Sequence, residues 1–508
     1  MAASVGPPKE ATHQAWKRMV PYLYDALVSH ALPWPSLAVR WGPVLEEGPK
    51  RARQRAYLSE QTDGSVPNLL MAVDADLPRP RTATADHLLA FSEHSKSPYV
   101  SKPVKTVIHP GEVNRIRELP QQPHVLVTHT DAPQLYVWNM EAQPDKAGIR
   151  NTSPKLHSVA DLVLEGHKEV AEFALGVSSA APLVASGGRD AQVLVWDLAS
   201  HATSLALPGS DDSGRATAST RLQPVHTLMG HSSTIEDVCW LPGSDAELAS
   251  PHHLPCGPSA PASDDSSLLL WDTRRGGAPV LHVAKAHGSQ DVHCVSWSPH
   301  RQDLLITGAA DGSLKVWDRR KTSSPAYFFR HHAGAATVVE WSPHAASAFA
   351  SAGEDRLLCV WDLDAPPPDG DGPPPPKRPK SAIPQQLLFQ HAGHRAAVVD
   401  LQWNPHDPWA LLSVADEAGE GGGGTLHIWR ISDLVYRPAD EVVAELEPYR
   451  EYILTGNEAA LSHKPSSLDA AGAAAAQQPS GPGRSSAADS RGGAAAEADA
   501  AAGGAVAS

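Results

Sequence analysis

Histidine, serine or threonine, aspartate and tryptophan recur along this chain at one spacing, and together they suit one kind of chemistry, a buried relay of hydrogen bonds. Gly166-His167 leads to Trp196-Asp197, Ala286-His287 to Trp317-Asp318 and His332 to Trp361-Asp362, with His-to-Trp separations of 29, 30 and 29 residues. Ser186, Thr307 or Ser351 stands four residues before Asp190, Asp311 or Asp355, and each Asp stands six before its Trp. A buried indole N–H needs an acceptor. A hydroxyl supplies it and reaches an imidazole, which a carboxylate in the turn then fixes, so the four groups satisfy one another.

The elements that must hold such groups are short strands. Val193 to Trp196, Leu314 to Trp317 and Leu357 to Trp361 are aliphatic and aromatic runs bounded by Gly, Asp or Pro, which fits four strands per repeat. Looser copies follow the same grammar. His109 to Trp138 spans 29 residues with Thr128 and Asp131, His394 to Trp429 spans 35, and His231 to Trp271 spans 40. The first excess is a Gly-rich insertion at 417–424 after Asp416; the second lies between Ser250 and Asp265 and reads as a surface loop at 251–263 or a mis-joined gene model. Six marked repeats of this length predict a WD-type β-propeller. Arg55 to Leu77, with a turn at Asp63-Gly64, supplies a degenerate first blade, and Ser36 to Trp41 is expected to close the ring as the outer strand of the last blade.

The predicted architecture is therefore all-β: a seven-bladed WD40 propeller over 33–436 with insertions at 199–222, 251–263, 364–386 and 417–424. Residues 1–11 precede it, and 12–32 form an N-terminal helix in which Trp16, Met19, Leu23 and Leu27 recur at helical spacing from an N-cap at Thr12, with a kink at Pro21. A C-terminal helix is expected over 437–455. The Ala-, Gly- and Ser-rich stretch at 456–508 reads as a disordered tail.

At 508 residues the chain has room for one propeller and its tails, and 41% hydrophobic content can fill the cores between sheets. A net charge of −15 disfavours sequence-independent binding to DNA phosphates and favours basic partners. Cys239, Cys256, Cys294 and Cys359 lie far apart without a CxxC pair, which predicts a reducing compartment and no structural zinc. No stretch of eighteen apolar residues occurs, so a soluble intracellular protein without membrane contact is expected. Catalysis has no motif to stand on: G-x-S-x-G, G-x-x-x-x-G-K and H-E-x-x-H are absent. Of 26 histidines, His109, His167, His231, His287, His332 and His394 are taken up by the relays, so neither metal nor cofactor is implied.

Several linear strings carry a resemblance. Trp16 to Asp25 (WKRMVPYLYD), His30 to Leu37 (HALPWPSL), His109 to Arg115 (HPGEVNR) and Gly230-His231 with Glu236 to Val238 are similar to the MSI-like, retinoblastoma-binding histone-binding WD proteins. Tyr57 to Asn68 (YLSEQTDGSVPN), Thr425 to Arg430 (TLHIWR) and Val435 to Pro438 (VYRP) resemble its plant FVE-type branch. The resemblance covers about residues 12 to 455 and implies binding of histones H3 and H4. It further implies a scaffold role in histone deacetylase, Polycomb-type or chromatin assembly complexes, nuclear location, transcriptional repression and, in the plant branch, a link to flowering.

By that resemblance the histone tail meets Glu112, Asn114, Glu236, Asp264 and Asp416 on one face of the ring. Carboxylates suit an Arg- and Lys-rich peptide because charge-assisted pairs give orientation and speed of encounter. Ala335 and Thr337 depart from the family pattern, standing where better-known members have an acid and an aromatic residue. The family's second site, a groove for a histone helix, would be formed here by Leu23, Leu27, Leu388 and Phe389 with Asp369 and Asp371. Lys377-Arg378-Pro379-Lys380 replaces an acidic run in the sixth-blade insertion, and a basic loop repels a basic helix. The same four residues match a short nuclear import signal. A competing role as substrate receptor of a cullin-type ubiquitin ligase rests on Trp271-Asp272-Thr273-Arg274 and Trp317-Asp318-Arg319-Arg320, with Arg274 and Arg320 as contacts to the ligase adaptor.

Overall fold

The computed structural model describes residues 9–80, 95–147, 157–170, 173–206, 219–251, 266–365, 384–416, 423–435, 437 and 439–451. Seven sheets follow one another, and their innermost strands touch in cyclic succession: Val39–Glu47 meets Arg115–Leu119, and the series continues until Val398–Trp403 returns to Val39–Glu47. This is a seven-bladed propeller, as the repeats predict. The cores lie between neighbouring sheets, where Trp138, Trp196, Trp271, Trp361 and Trp429 are each fully buried. Truncating such an indole typically costs about 3–5 kcal/mol, so the repeated Trp is a main source of cohesion.

The ring closes differently from the expectation. Ser36–Trp41 is not the outer strand of the last blade; Val39–Glu47 is the innermost strand of the first, pairing with Arg51–Glu60. The closing strand is Tyr24–Ala31, antiparallel to Thr425–Ile431. Helix α1 (Lys9–Leu23) consequently ends nine residues short of the predicted 32 and begins before Thr12, with Pro21 inside its last turn. Residues 24–31 read as helical because Leu27 keeps the spacing, but the unpaired edge of Thr425–Ile431 offers them a ladder of hydrogen bonds, and tertiary pairing overrides the local pattern.

Trp16 and Val20 of α1 join Tyr24, Leu27, Phe389, Trp403 and Trp429 in one buried cluster, so the helix seals the side of the ring. The insertion at 199–222 is partly built into the fold. It runs through short helical turns, Ala199–His201 and Ala202–Ala206, and Thr220–Leu222 then pairs in parallel with Leu162–Leu164 as a fifth strand of the second blade. The C-terminal helix is shorter than predicted, Ala439–Leu446 followed by the turn Glu447–Tyr449. The expected tail at 456–508 lies outside the described residues.

Among the described residues, the sixth blade completes the relay in full. His332 Nδ1 sits 3.1 Å from Asp355, His332 Nε2 2.8 Å from Ser351 Oγ, and Trp361 Nε1 donates to that same hydroxyl at 2.8 Å. In the fifth blade Trp317 and His287 share Thr307, yet His287 Nδ1 turns to Ser313 Oγ at 2.9 Å instead of Asp311. Asp311 accepts from Arg330 and from the Ser313 amide. In the third blade Ser186 serves His167 and also His129 of the second blade, at 3.0 and 2.8 Å, and Trp196 donates to the Glu165 carbonyl. One hydroxyl contacting two imidazoles leaves the indole to find a main-chain acceptor.

Candidate functional site

A cavity of about 520 Å³ opens at one mouth of the central channel, and its lining includes Glu112, Asn114, Glu236 and Asp416. Four of the five residues expected to meet a histone tail thus converge, although they come from loops more than 300 residues apart in sequence. Asp264 lies outside the described residues. Backbone geometry sets each one. Gly111 has φ +121°, and a Cβ there would stand 2.6 Å from Thr130 Oγ1, so glycine permits the turn that presents Glu112. Gln61 Nε2 then donates to Glu112 Oε2 at 2.8 Å. The Asn114 amide is held by the His129 carbonyl at 3.0 Å, and the Asp416 amide by the Ala397 carbonyl at 2.9 Å.

Glu236 is positioned by its neighbours Ile235 and Asp237, both buried. Asp237 accepts from the amide of Val295 in the next blade at 2.9 Å, and Asp400 likewise accepts from Val39 at 3.0 Å. Glu340 takes the Trp403 amide at 3.0 Å. These carboxylates stitch neighbouring blades together at the hub, and burial pushes Asp237 above the usual carboxylate range and Glu340 up to about 7. Arg40 and Arg115 lie 3.5 and 3.6 Å from Asp400 and offset its charge. Sequence reasoning missed this hub. Its visible signal is the shared D-x-x-W spacing of Asp237 to Trp240 and Asp400 to Trp403.

The mouth also holds an unexpected aromatic. Phe173, 37% exposed, lines the cavity with Leu37 and Val399, opposite carboxylates from the other loops. Such a wall suits the methylene stem of Lys or Arg while its charged head reaches an acid. Thr337, one of the departures from the family pattern, lines the same cavity but spends its hydroxyl on the Val398 carbonyl at 2.6 Å. Ala335 is buried and offers only bulk.

The expected helix groove is filled where it is described. Leu27 and Phe389 are core residues, with Leu23 and Leu388 partly buried against the same cluster. Their apolar surface therefore packs α1 onto the ring; Asp369, Asp371 and the basic run lie outside the described residues. Arg274 and Arg320 are exposed, but each guanidinium makes two hydrogen bonds to the Asp two residues before it, Asp272 at 2.9 and 3.0 Å and Asp318 at 2.9 and 2.7 Å. The Arg320 hydrogen bond holds Asp318 down to about 2.

Comparison with known proteins follows the same lines. Residues 11–79 match a family model described as the histone-binding protein RBBP4 or its counterpart in the CAF1 complex. Five segments, 160–197, 222–272, 279–318, 323–362 and 385–430, match the WD domain, G-beta repeat. The chain is 45% identical over 464 residues to the WD-40 repeat-containing protein MSI4 of Arabidopsis thaliana, covering 88% of this chain and 87% of that protein. It is 31% identical over 450 residues to MSI3 of the same plant, covering 85% and 92%.

Proposed function

Because the chain belongs to the MSI-like, RBBP4-type family of WD-repeat proteins, we propose that it binds histones H3 and H4 as a non-catalytic scaffold, gripping the basic tail at the channel mouth. The observation that carries this reading is the convergence of Glu112, Asn114, Glu236 and Asp416 on one solvent-open cavity beside Phe173. An Arg or Lys entering there exchanges water for carboxylates on one side and an aromatic face on the other, without disturbing the hub below. The scaffold would hold the tail while a partner subunit performs the chemistry, in a deacetylase, Polycomb-type or chromatin assembly complex, in the nucleus and toward transcriptional repression. Carboxylates at this mouth would repel a phosphate backbone, so direct sequence-specific reading of DNA is no part of the proposal.

Fluorescence anisotropy with labelled H3-tail and H4-helix peptides across a salt series tests the proposal. Tail binding should weaken with salt and fall at least about tenfold in Glu236→Lys, whose reversed charge faces the ligand. Absence of binding by the wild-type chain would remove the histone reading. Arg274 and Arg320 would then be the next surface to test, by pull-down of a cullin adaptor with the double Ala variant. Their pairing with Asp272 and Asp318 ranks that role second, since a partner must first displace an internal carboxylate.

A further inference from the structure

We propose that His391, His394 and His427, meeting where the N-terminal strand closes the ring, bind one zinc-class divalent cation. All three are buried, and one ring nitrogen from each lies within 4.8 Å of the others. His391 Nε2 stands 3.0 Å from His427 Nδ1. Two nitrogens on one tetrahedral zinc, each about 2.0–2.1 Å from the ion, stand roughly 3.3 Å apart, so this pair needs little adjustment.

The remaining nitrogens are held from outside by hydroxyls. His391 Nδ1 meets Tyr24 OH at 2.6 Å, His427 Nε2 meets Ser29 Oγ at 3.1 Å, and His394 Nε2 meets Ser413 Oγ at 2.8 Å. A polar partner on the far nitrogen is what orients an imidazole ligand and sets its tautomer. One nitrogen per ring is left for the ion; that of His394 now contacts Thr425 Oγ1 at 3.2 Å, and it must turn away from this hydroxyl to coordinate. The donor set has imidazoles and no carboxylate, which favours zinc and its neighbours over calcium or magnesium. Burial, reinforced by the neighbouring histidines, keeps His391 and His394 well below their ordinary pKa, so the rings are neutral, the form that coordinates.

Without the ion, one of the facing nitrogens of His391 and His427 carries the proton of their mutual hydrogen bond. On binding, that proton shifts to the outer nitrogen of the same ring, and Tyr24 or Ser29 turns its hydroxyl to accept it. Both hydroxyls belong to the closing strand, so the ion would clasp that strand to the last blade. The relay accounts only for His394; His391 and His427 are additional to it, which is why the repeat grammar conceals the cluster.

The test uses the full-length chain, stripped with EDTA and titrated with zinc and cobalt(II), beside His427→Gln, whose amide can still hydrogen-bond to Ser29. Expected for the wild type are one zinc retained per chain after gel filtration, the visible d–d bands of four-coordinate cobalt, and a melting temperature raised by about 3 °C or more. His427→Gln should retain about tenfold less. Equal retention by both proteins, with no d–d bands in the wild type, would overturn the proposal and leave a hydrogen-bonded triad with adventitious zinc on surface histidines. Should the variant fold poorly, the wild-type cobalt spectrum decides alone.

Discussion

The mouth of the channel and the seam where the ring closes use polar side chains in opposite ways. At the mouth, Glu112, Glu236 and Asp416 stand half-buried around a cavity open to solvent, on loops fixed by backbone bonds. At the seam, polar groups are passed from hand to hand in the interior: Trp16 Nε1 donates to Tyr24 OH, which meets His391, which meets His427, which meets Ser29. Spare acceptors beside water give a surface that can take a ligand. A closed chain of buried partners gives rigidity, and it is costly to interrupt because every member loses its partner at once. The difference assigns recognition to the hub loops and stability to the rim.

Acid should separate the two regions most strongly. Burial lowers His109 to about 4 and His287 to about 3, and holds His391 and His394 well below the ordinary 6.5. The unfolded chain takes up these protons near pH 6.5 while the folded one refuses them, so stability is level above that pH and falls on acidification. Each histidine contributes up to about 1.4 kcal/mol per pH unit. Four together remove on the order of 8 kcal/mol by pH 5, comparable with the whole stability of a domain. Melting followed by circular dichroism from pH 8 to 4.5 checks this, and a flat melting temperature down to pH 5 would break the contrast.

Tyr24→Ala should cost about 3–5 kcal/mol in urea titration, because it empties a ring position among Trp16, Phe389 and Trp429. Tyr24→Phe keeps the ring and strands Trp16 Nε1 and His391 Nδ1, for a loss of about 1–3 kcal/mol. Wild-type stability in Tyr24→Phe would mean that packing, not the relay, holds the seam.

The propeller was legible because its signal is local and repeated: strand, turn and Trp recur within some thirty residues, and the hydrogen bonds they imply mostly stay within one blade. The mouth was legible only through resemblance, since Glu112 and Asp416 share no linear pattern and meet through ring closure. What failed were assignments that depend on a distant partner. Tyr24–Ala31 looks helical until the edge of Thr425–Ile431 is present, and Thr220–Leu222 becomes a strand only beside Leu162–Leu164. Hub residues such as Arg40 and Glu340 become meaningful only when seven inner strands face one another.

Phe173→Ala sharpens the view of the mouth. A side chain 37% exposed can leave without disturbing the core, so the melting temperature should hold while H3-tail affinity falls about fivefold to tenfold through loss of an apolar and cation–π contact. An equal loss of stability and binding would show that the loop, not the ring face, had been altered.

Gln61 gives the smallest effect and the finest distinction. Its amide donates to Glu112 at 2.8 Å from a neighbouring blade, so it holds the carboxylate in place while leaving a second oxygen for a ligand cation. Gln61→Ala should weaken tail binding only about twofold to threefold, because the freed carboxylate keeps its charge and loses orientation alone. In a Glu112→Ala background the same substitution should change nothing, since a positioning residue has no effect once the group it positions is gone. Additive losses in the double variant would instead mean that Gln61 contacts the peptide directly, and the mouth would then extend into the first blade.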